Sequence, residues 1–139
     1  MLTDLDNYDC PLRLIEDWLG QDKTANPNFI FRIAVREVEA WLMADRENLA
    51  HFLGIPLQYI PQESDSLIDA KATLINLAER SRKRELKSDL IPKKGSTAKQ
   101  GSNYNGCLAQ CLQTWRLEKA MRVLPSLARV HHHLSQFTP

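Results

Sequence analysis

The chain has 139 residues, 43% of them hydrophobic and 25% charged. That length and mix fit a single domain, residues 1–139, able to bury a core without staples, and they exclude a collagen, a coiled-coil rod and a disordered tail. The formal net charge of +1 hides an uneven distribution: residues 1–70 carry 13 Asp or Glu against 5 Lys or Arg, a net of −8, and residues 71–139 carry 4 against 13, a net of +9.

Either these halves neutralise each other in the fold, or one holds a cation or faces a basic partner while the other meets phosphate. No apolar run approaches the roughly 20 residues of a membrane span, and Met1-Leu2-Thr3-Asp4 lacks the charged-then-apolar pattern of a secretory signal. The three cysteines, Cys10, Cys107 and Cys111, are an odd number in a chain without that signal. Reduced thiols in a cytoplasmic protein, with no membrane partner, are therefore expected.

In chain order, Leu2 to Asn7 alternates apolar and polar residues but is too short for a full strand. The next stretch predicts a helix opened by Asp9 or Cys10 with Pro11 in its first position, carrying Leu12, Leu14, Ile15, Trp18 and Leu19, and closed by Gly20. A polar loop follows. Phe29 to Val35, rich in aromatic and β-branched residues, is the clearest strand. Directly after it, Val38, Trp41 and Leu42 predict a helix over 37–44, and Asp45 caps another that runs to Gly54. Pro56 and Pro61 hold an extended connection. Leu67, Ala70, Leu74, Leu77 and Ala78 mark a helix over 66–81 whose end runs into Arg80-Ser81-Arg82-Lys83-Arg84, where basic residues suit the helix dipole. Residues 92–106 have no apolar periodicity and read as a long loop. Cys107, Leu108, Cys111, Leu112 and Trp115 then return to helical spacing, and Leu124, Leu127, Val130 and Leu134 form a last helix entered at Pro125.

Three sets of residues could carry chemistry. If Thr3 to Asp6 is extended, Asp4 and Asp6 fall on one side and could share a hard cation such as Mg²⁺; otherwise they are two solvated acids near a terminus. Glu37 and Glu39 stand where a strand passes into a helix, an edge at which open α/β sheets place ligands. Two residues along a helix turn through about 200°, so only one of them is expected to reach a shared site, and Glu37 also suits the helix dipole. The third set lies in and after the long loop. Lys94, Lys99, Gly101, Tyr104 and Asn105 combine ammonium groups, glycine-freed amides and a helix start, all favourable to phosphate, although the spacing is not that of a Walker A loop and a merely solvated loop is the alternative. His131-His132-His133 would fan out around a helix instead of converging on one ion. Cys107 and Cys111 lie on an apolar stripe as small hydrophobes, and Trp18, Trp41 and Trp115 read as core.

Taken together, Leu2-Thr3-Asp4-Leu5-Asp6, the run Phe31-Arg32-Ile33-Ala34-Val35-Arg36-Glu37-Val38-Glu39-Ala40-Trp41-Leu42-Met43-Ala44-Asp45, and Lys99-Gln100-Gly101-Ser102-Asn103-Tyr104-Asn105 resemble a bacterial Toprim-like family of unknown function, often encoded beside a defence-type ATPase. The resemblance spans nearly the whole chain, and Val35 to Asp45 is its most specific part. It implies an α/β, mostly helical fold, the C-terminal part of a Toprim-like domain with few strands. It assigns Asp4 and Asp6 to Mg²⁺, while the early glutamate that Toprim domains place on a preceding strand has no counterpart here. The implied activity is Mg²⁺-dependent phosphodiester hydrolysis on nucleic acid, in a phage-defence or mobile-element system, with Glu37 or Glu39 positioning water or metal. The alternative is a non-catalytic component that partners an ATPase or nucleic acid, with the basic stretch from Arg80 to Lys99 supplying salt-dependent attraction. With leading strands missing, an uncovered edge on the 30–35 strand would favour a homodimer.

Overall fold

The computed structural model describes residues 10–20 and 38–136, together with the backbone of residues 2–4 and 32–34. The first helix, α1 (Pro11–Leu19), has proline in its first turn and Gly20 after its last, as the sequence predicts. The second, α2 (Val38–Ala44), is buried at Glu39, Ala40, Trp41, Leu42 and Met43. Apolar residues on every side make a helix internal, and α2 accordingly packs against α3 (Arg46–Leu53), α4 (Ala70–Glu79), α7 (Leu117–Val123) and a single 3-10 turn at Ser64–Ser66. Asp45 opens α3 by accepting the Asn48 amide at 3.3 Å, and Gly54 closes it with a φ of 67°, a left-handed conformation that costs glycine nothing.

Between Pro56 and Pro61 the chain is not simply extended. Leu57–Tyr59 winds one 3-10 turn, held by Arg46, whose Nε and Nη2 donate to the Ile60 carbonyl at 3.1 and 2.9 Å and whose Nη2 also reaches the Leu57 carbonyl at 3.3 Å. The fourth helix starts later than expected, at the Asp69 cap, whose carboxylate takes the Ala72 amide at 2.7 Å. A short helix that the sequence did not predict, α5 (Arg84–Leu90), follows. Leu86 and Leu90 are its only apolar residues, too few to print a periodic stripe. The chain continues through α6 (Tyr104–Leu112) and α7 to α8 (Pro125–Ser135), which is entered at Pro125 as predicted.

Two described clusters form the core. The larger joins Ala40 and Met43 of α2 to Leu49 and Leu53 of α3, Leu74 and Leu77 of α4, Leu90 of α5, and Tyr104, Cys107 and Cys111 of α6. The smaller gathers Ala120, Leu124, Leu127 and Val130 around Trp41. Both rest on α2, which shows one face to each.

The expected α/β class, the C-terminal part of a Toprim-like domain, is corrected by this architecture. The protein is small and mostly helical. Among the described residues the only strands are β1 (Leu2–Asp4) and β2 (Arg32–Ala34), three residues each, paired in parallel with Leu2 opposite Arg32, Thr3 opposite Ile33 and Asp4 opposite Ala34. The order β1-α1-β2 supplies the crossover that parallel pairing requires, but two such strands make no layer on which helices could pack. Helices cover helices in both clusters. The β-branched run Phe29 to Val35 led the sequence toward α/β; only 32–34 of it is described as strand, and the remainder lies outside the described residues. No helix of the described residues is long and apolar enough to cross a membrane.

Candidate functional site

The acidic set expected to hold Mg²⁺ is only partly in view. Asp6 and Glu37 lie outside the described residues, and of Asp4 only the backbone, in β1, is described. Among the described residues no three His, Cys, Asp or Glu side chains gather as a metal centre would need. Glu39 is 5% exposed, because the internal α2 has no wet face on which to put it. Its Oε1 accepts the Tyr104 hydroxyl at 2.8 Å and stands 3.7 Å from Lys71 Nζ, and the same ammonium lies 5.7 Å from the centre of the Tyr104 ring. Two predicted site residues, Glu39 and Tyr104, are thus brought together, and they engage each other. A buried carboxylate is costly until paired and hydrogen-bonded, so this contact fastens α2 to α4 and to the start of α6. Tyr104→Phe should therefore lower stability by about 1–3 kcal/mol, read from the urea midpoint. An unchanged midpoint would mean that the bond contributes nothing net.

The loop candidates divide. The Gly101 amide donates to the Leu90 carbonyl at 2.9 Å, the Asn103 amide to the Asp89 carbonyl at 3.3 Å and the Tyr104 amide to the Gly101 carbonyl at 3.3 Å. The backbone donors that sequence reasoning offered to phosphate at Gly101 and Tyr104 are therefore committed within the chain. Asn105 is exposed in the first turn of α6, and Lys94 and Lys99 are exposed with no partner among the described residues. Because Leu90 and Gly101 are hydrogen-bonded, residues 91–100 form a closed excursion of the Ω type. It carries Lys93, Lys94 and Lys99 and no acidic residue.

The link from α4 to α5 sorts its cations by task. Lys83 Nζ donates to the His51 and Phe52 carbonyls at 3.2 and 2.7 Å, and Ser81 Oγ donates to the Leu53 carbonyl at 2.6 Å, so the link satisfies the open end of α3. Lys87 Nζ does the same for α4 through the Glu79 carbonyl at 2.7 Å. Arg80, Arg82 and Arg84 remain exposed. The Arg80 guanidinium carbon lies 4.6 Å from the centre of the Tyr59 ring, within cation–π range. Arg82 and Arg84 have no side-chain partner among the described residues. The link adjoins two cavities. One, of about 760 Å³, is lined by Ala50, His51, Gly54, Ile55, Pro56, Tyr59, Arg80 and Arg82. The other, of about 520 Å³, includes Lys83, Arg84, Asp89 and Cys107.

Neutralisation between the two halves is real but local. Glu39 meets Lys71, Asp45 and Glu47 meet Arg116, and Glu47 also meets Lys119, each pair joining an acid of the first half to a base of the second. Residues 80–99 hold eight Lys or Arg against two Asp or Glu, and none of these cations forms an ion pair among the described residues. The positive field of the second half is therefore left standing on this surface.

Burial, and then the nearby Asp89 carboxylate, push the Cys107 thiol up; burial, and then Asp45, push Cys111 up to about 11. Neither is a nucleophile near neutrality, and all three cysteines are free. Trp41 is core, as predicted, whereas Trp18 is half exposed. Sequence reasoning passed over Tyr59. The signal available was an aromatic residue standing between two prolines, outside any apolar stripe. Compared with family models, with curated proteins and with solved structures, the chain matches none.

Proposed function

We propose that the protein is a non-catalytic component that binds nucleic acid through the α4–α5 link and the lysine-bearing excursion after α5. The observation that carries this is the exposure of Arg80, Arg82 and Arg84 on a link strapped to the end of α3, with no carboxylate paired to them among the described residues. Guanidinium groups suit phosphodiester oxygens, which they can meet with two parallel hydrogen bonds. Holding the link in place beforehand reduces the ordering cost of binding. With Lys93, Lys94 and Lys99, the three arginines make a set of six exposed cations that form no ion pair among the described residues.

Affinity for a labelled oligonucleotide, followed by fluorescence anisotropy against salt, tests this. Six phosphate contacts give a log–log slope of about −4 to −5 on single or double strands. Arg82→Ala/Arg84→Ala should weaken binding and flatten the slope by about 2. Binding that ignores salt, or a double variant that keeps the parent slope, would refute the assignment. Incubating a supercoiled plasmid with Mg²⁺, beside Asp4→Ala/Asp6→Ala, shows whether a bound strand is also cut; nicking lost in that variant would replace a binding role with a hydrolytic one.

A further inference from the structure

We infer that the cavity beside Tyr59 receives an unpaired nucleobase, so that the nucleic acid bound is single-stranded. This rests on the binding role assigned above and names its substrate class. Single-strand binders combine cations that follow the backbone with aromatic faces on which bases stack, and both occur here within one cavity. Its lining includes the apolar Ile55 and Pro56, the cations Arg80 and Arg82, and Tyr59, which is 42% exposed. The volume of about 760 Å³ lies within the range of about 300–1,000 Å³ of small-ligand sites.

Tyr59 is held for this task. Its 3-10 turn is pinned by the three Arg46 hydrogen bonds to the Leu57 and Ile60 carbonyls, and Ile60, which follows it, is 1% exposed. The ring already stacks with the Arg80 guanidinium at 4.6 Å. A planar base extends that stack by one layer, while Arg82 meets the phosphate beside it. A paired base in a duplex has both faces covered by its neighbours and cannot do this without leaving the helix. Tyr59 forms no part of either core cluster. An aromatic ring that is exposed, immobilised and cation-stacked has little to do for the fold.

Three probes of about 12 nucleotides test the inference by anisotropy at one salt concentration: a thymidine oligomer, an oligomer of the same length with abasic sugars, and a blunt duplex. The protein is expected to bind the thymidine oligomer at least about fivefold more tightly than the abasic one, which carries the same phosphates. Tyr59→Ala should remove that difference and leave abasic and duplex binding unchanged, while Tyr59→Phe should preserve it. Equal affinity of the wild-type protein for the thymidine and abasic strands would overturn the base pocket while sparing the phosphate-binding surface. So would a Tyr59→Ala variant that keeps the parent preference. Failure to bind any of the three probes would instead remove the binding role itself.

Discussion

Replacing Asp45 by alanine should destabilise the protein by about 3 kcal/mol near neutrality, and the loss should shrink in acid. Asp45 ends α2, opens α3 and is 1% exposed. Its carboxylate accepts from the Asn48 amide at 3.3 Å, the Arg116 amide at 2.9 Å and Arg116 Nε at 2.8 Å, and a second guanidinium nitrogen reaches its other oxygen. Losing the cap alone costs about 1 kcal/mol, and losing hydrogen bonds to a charged group about 1.5–3 kcal/mol. The Arg116 side chain is 43% exposed, so water can solvate the abandoned cation and hold the total below the upper range for broken buried pairs.

The pH dependence follows from the same contacts. Burial by itself would raise the Asp45 pKa, but hydrogen bonds from the Arg116 side chain and amide and from Asn48, with the Arg116 charge, outweigh it and hold the carboxyl below its ordinary 3.8. A carboxyl with a depressed folded pKa contributes stability that is complete above the unfolded value and is lost as pH falls through the folded one. Glu47, held down by Lys119 and Arg116, shifts in the same direction. Urea unfolding of parent and Asp45→Ala near neutrality and below about pH 3 should therefore show the gap between them narrowing in acid. A gap that stays constant would mean that the charge on Asp45 is not what holds α3 to the α6–α7 connection.

Gly101→Ala should cost about 3 kcal/mol and release the lysine-bearing excursion from the end of α5. A methyl group at Gly101 would fall inside contact distance of the Asp89 carbonyl group and 2.7 Å from the Leu90 carbonyl carbon. These are backbone atoms with no rotamer to escape into, so one segment has to move. Overpacking of this kind costs about 1–3 kcal/mol, and the Gly101–Leu90 and Asn103–Asp89 backbone bonds are lost with it, at about 1 kcal/mol each net. Tyr104 follows directly and carries the bond to Glu39, so the disturbance reaches the core. Hydrogen exchange at the amides of 101, 103 and 104 is the sharpest readout: all three should lose protection together. Retained protection with unchanged stability would show that the close approach at Gly101 does not constrain the loop.

The same residues show how far the sequence can be read. The boundaries at Pro11, Gly20, Asp45, Gly54 and Pro125 were legible because each depends on a local conformational property of one residue. Fold class was not, because it depends on which elements find partners. The short α2, buried through most of its length, becomes the hub, and no local signal separates such a hub from a peripheral turn. For the candidate site, the basic character of Arg80 to Lys99 was visible from composition. The division of labour within it was not: Lys83 and Lys87 close helix ends 31 and 8 residues upstream, which leaves the arginines outward. Gly101 and Tyr104 looked suited to phosphate because glycine and a helix start expose amides, yet long-range packing had already assigned those amides elsewhere.

The dependence of α2 on both ends of the later sequence bears on how the protein is made. Trp41, 7% exposed in the finished protein, is covered by Ala120, Leu124, Leu127 and Val130, contributed by the last two helices and the turn between them. During synthesis these residues leave the ribosome well after Trp41, which they follow by the whole span from α3 to α6. The nascent chain therefore presents α2 with its tryptophan uncovered until α7 and α8 have emerged, a period in which exposed apolar surface invites aggregation. Closure of the smaller cluster waits for α7 and α8, and the pairing of Asp45 and Glu47 with Arg116 and Lys119 gives the arriving segment an electrostatic destination.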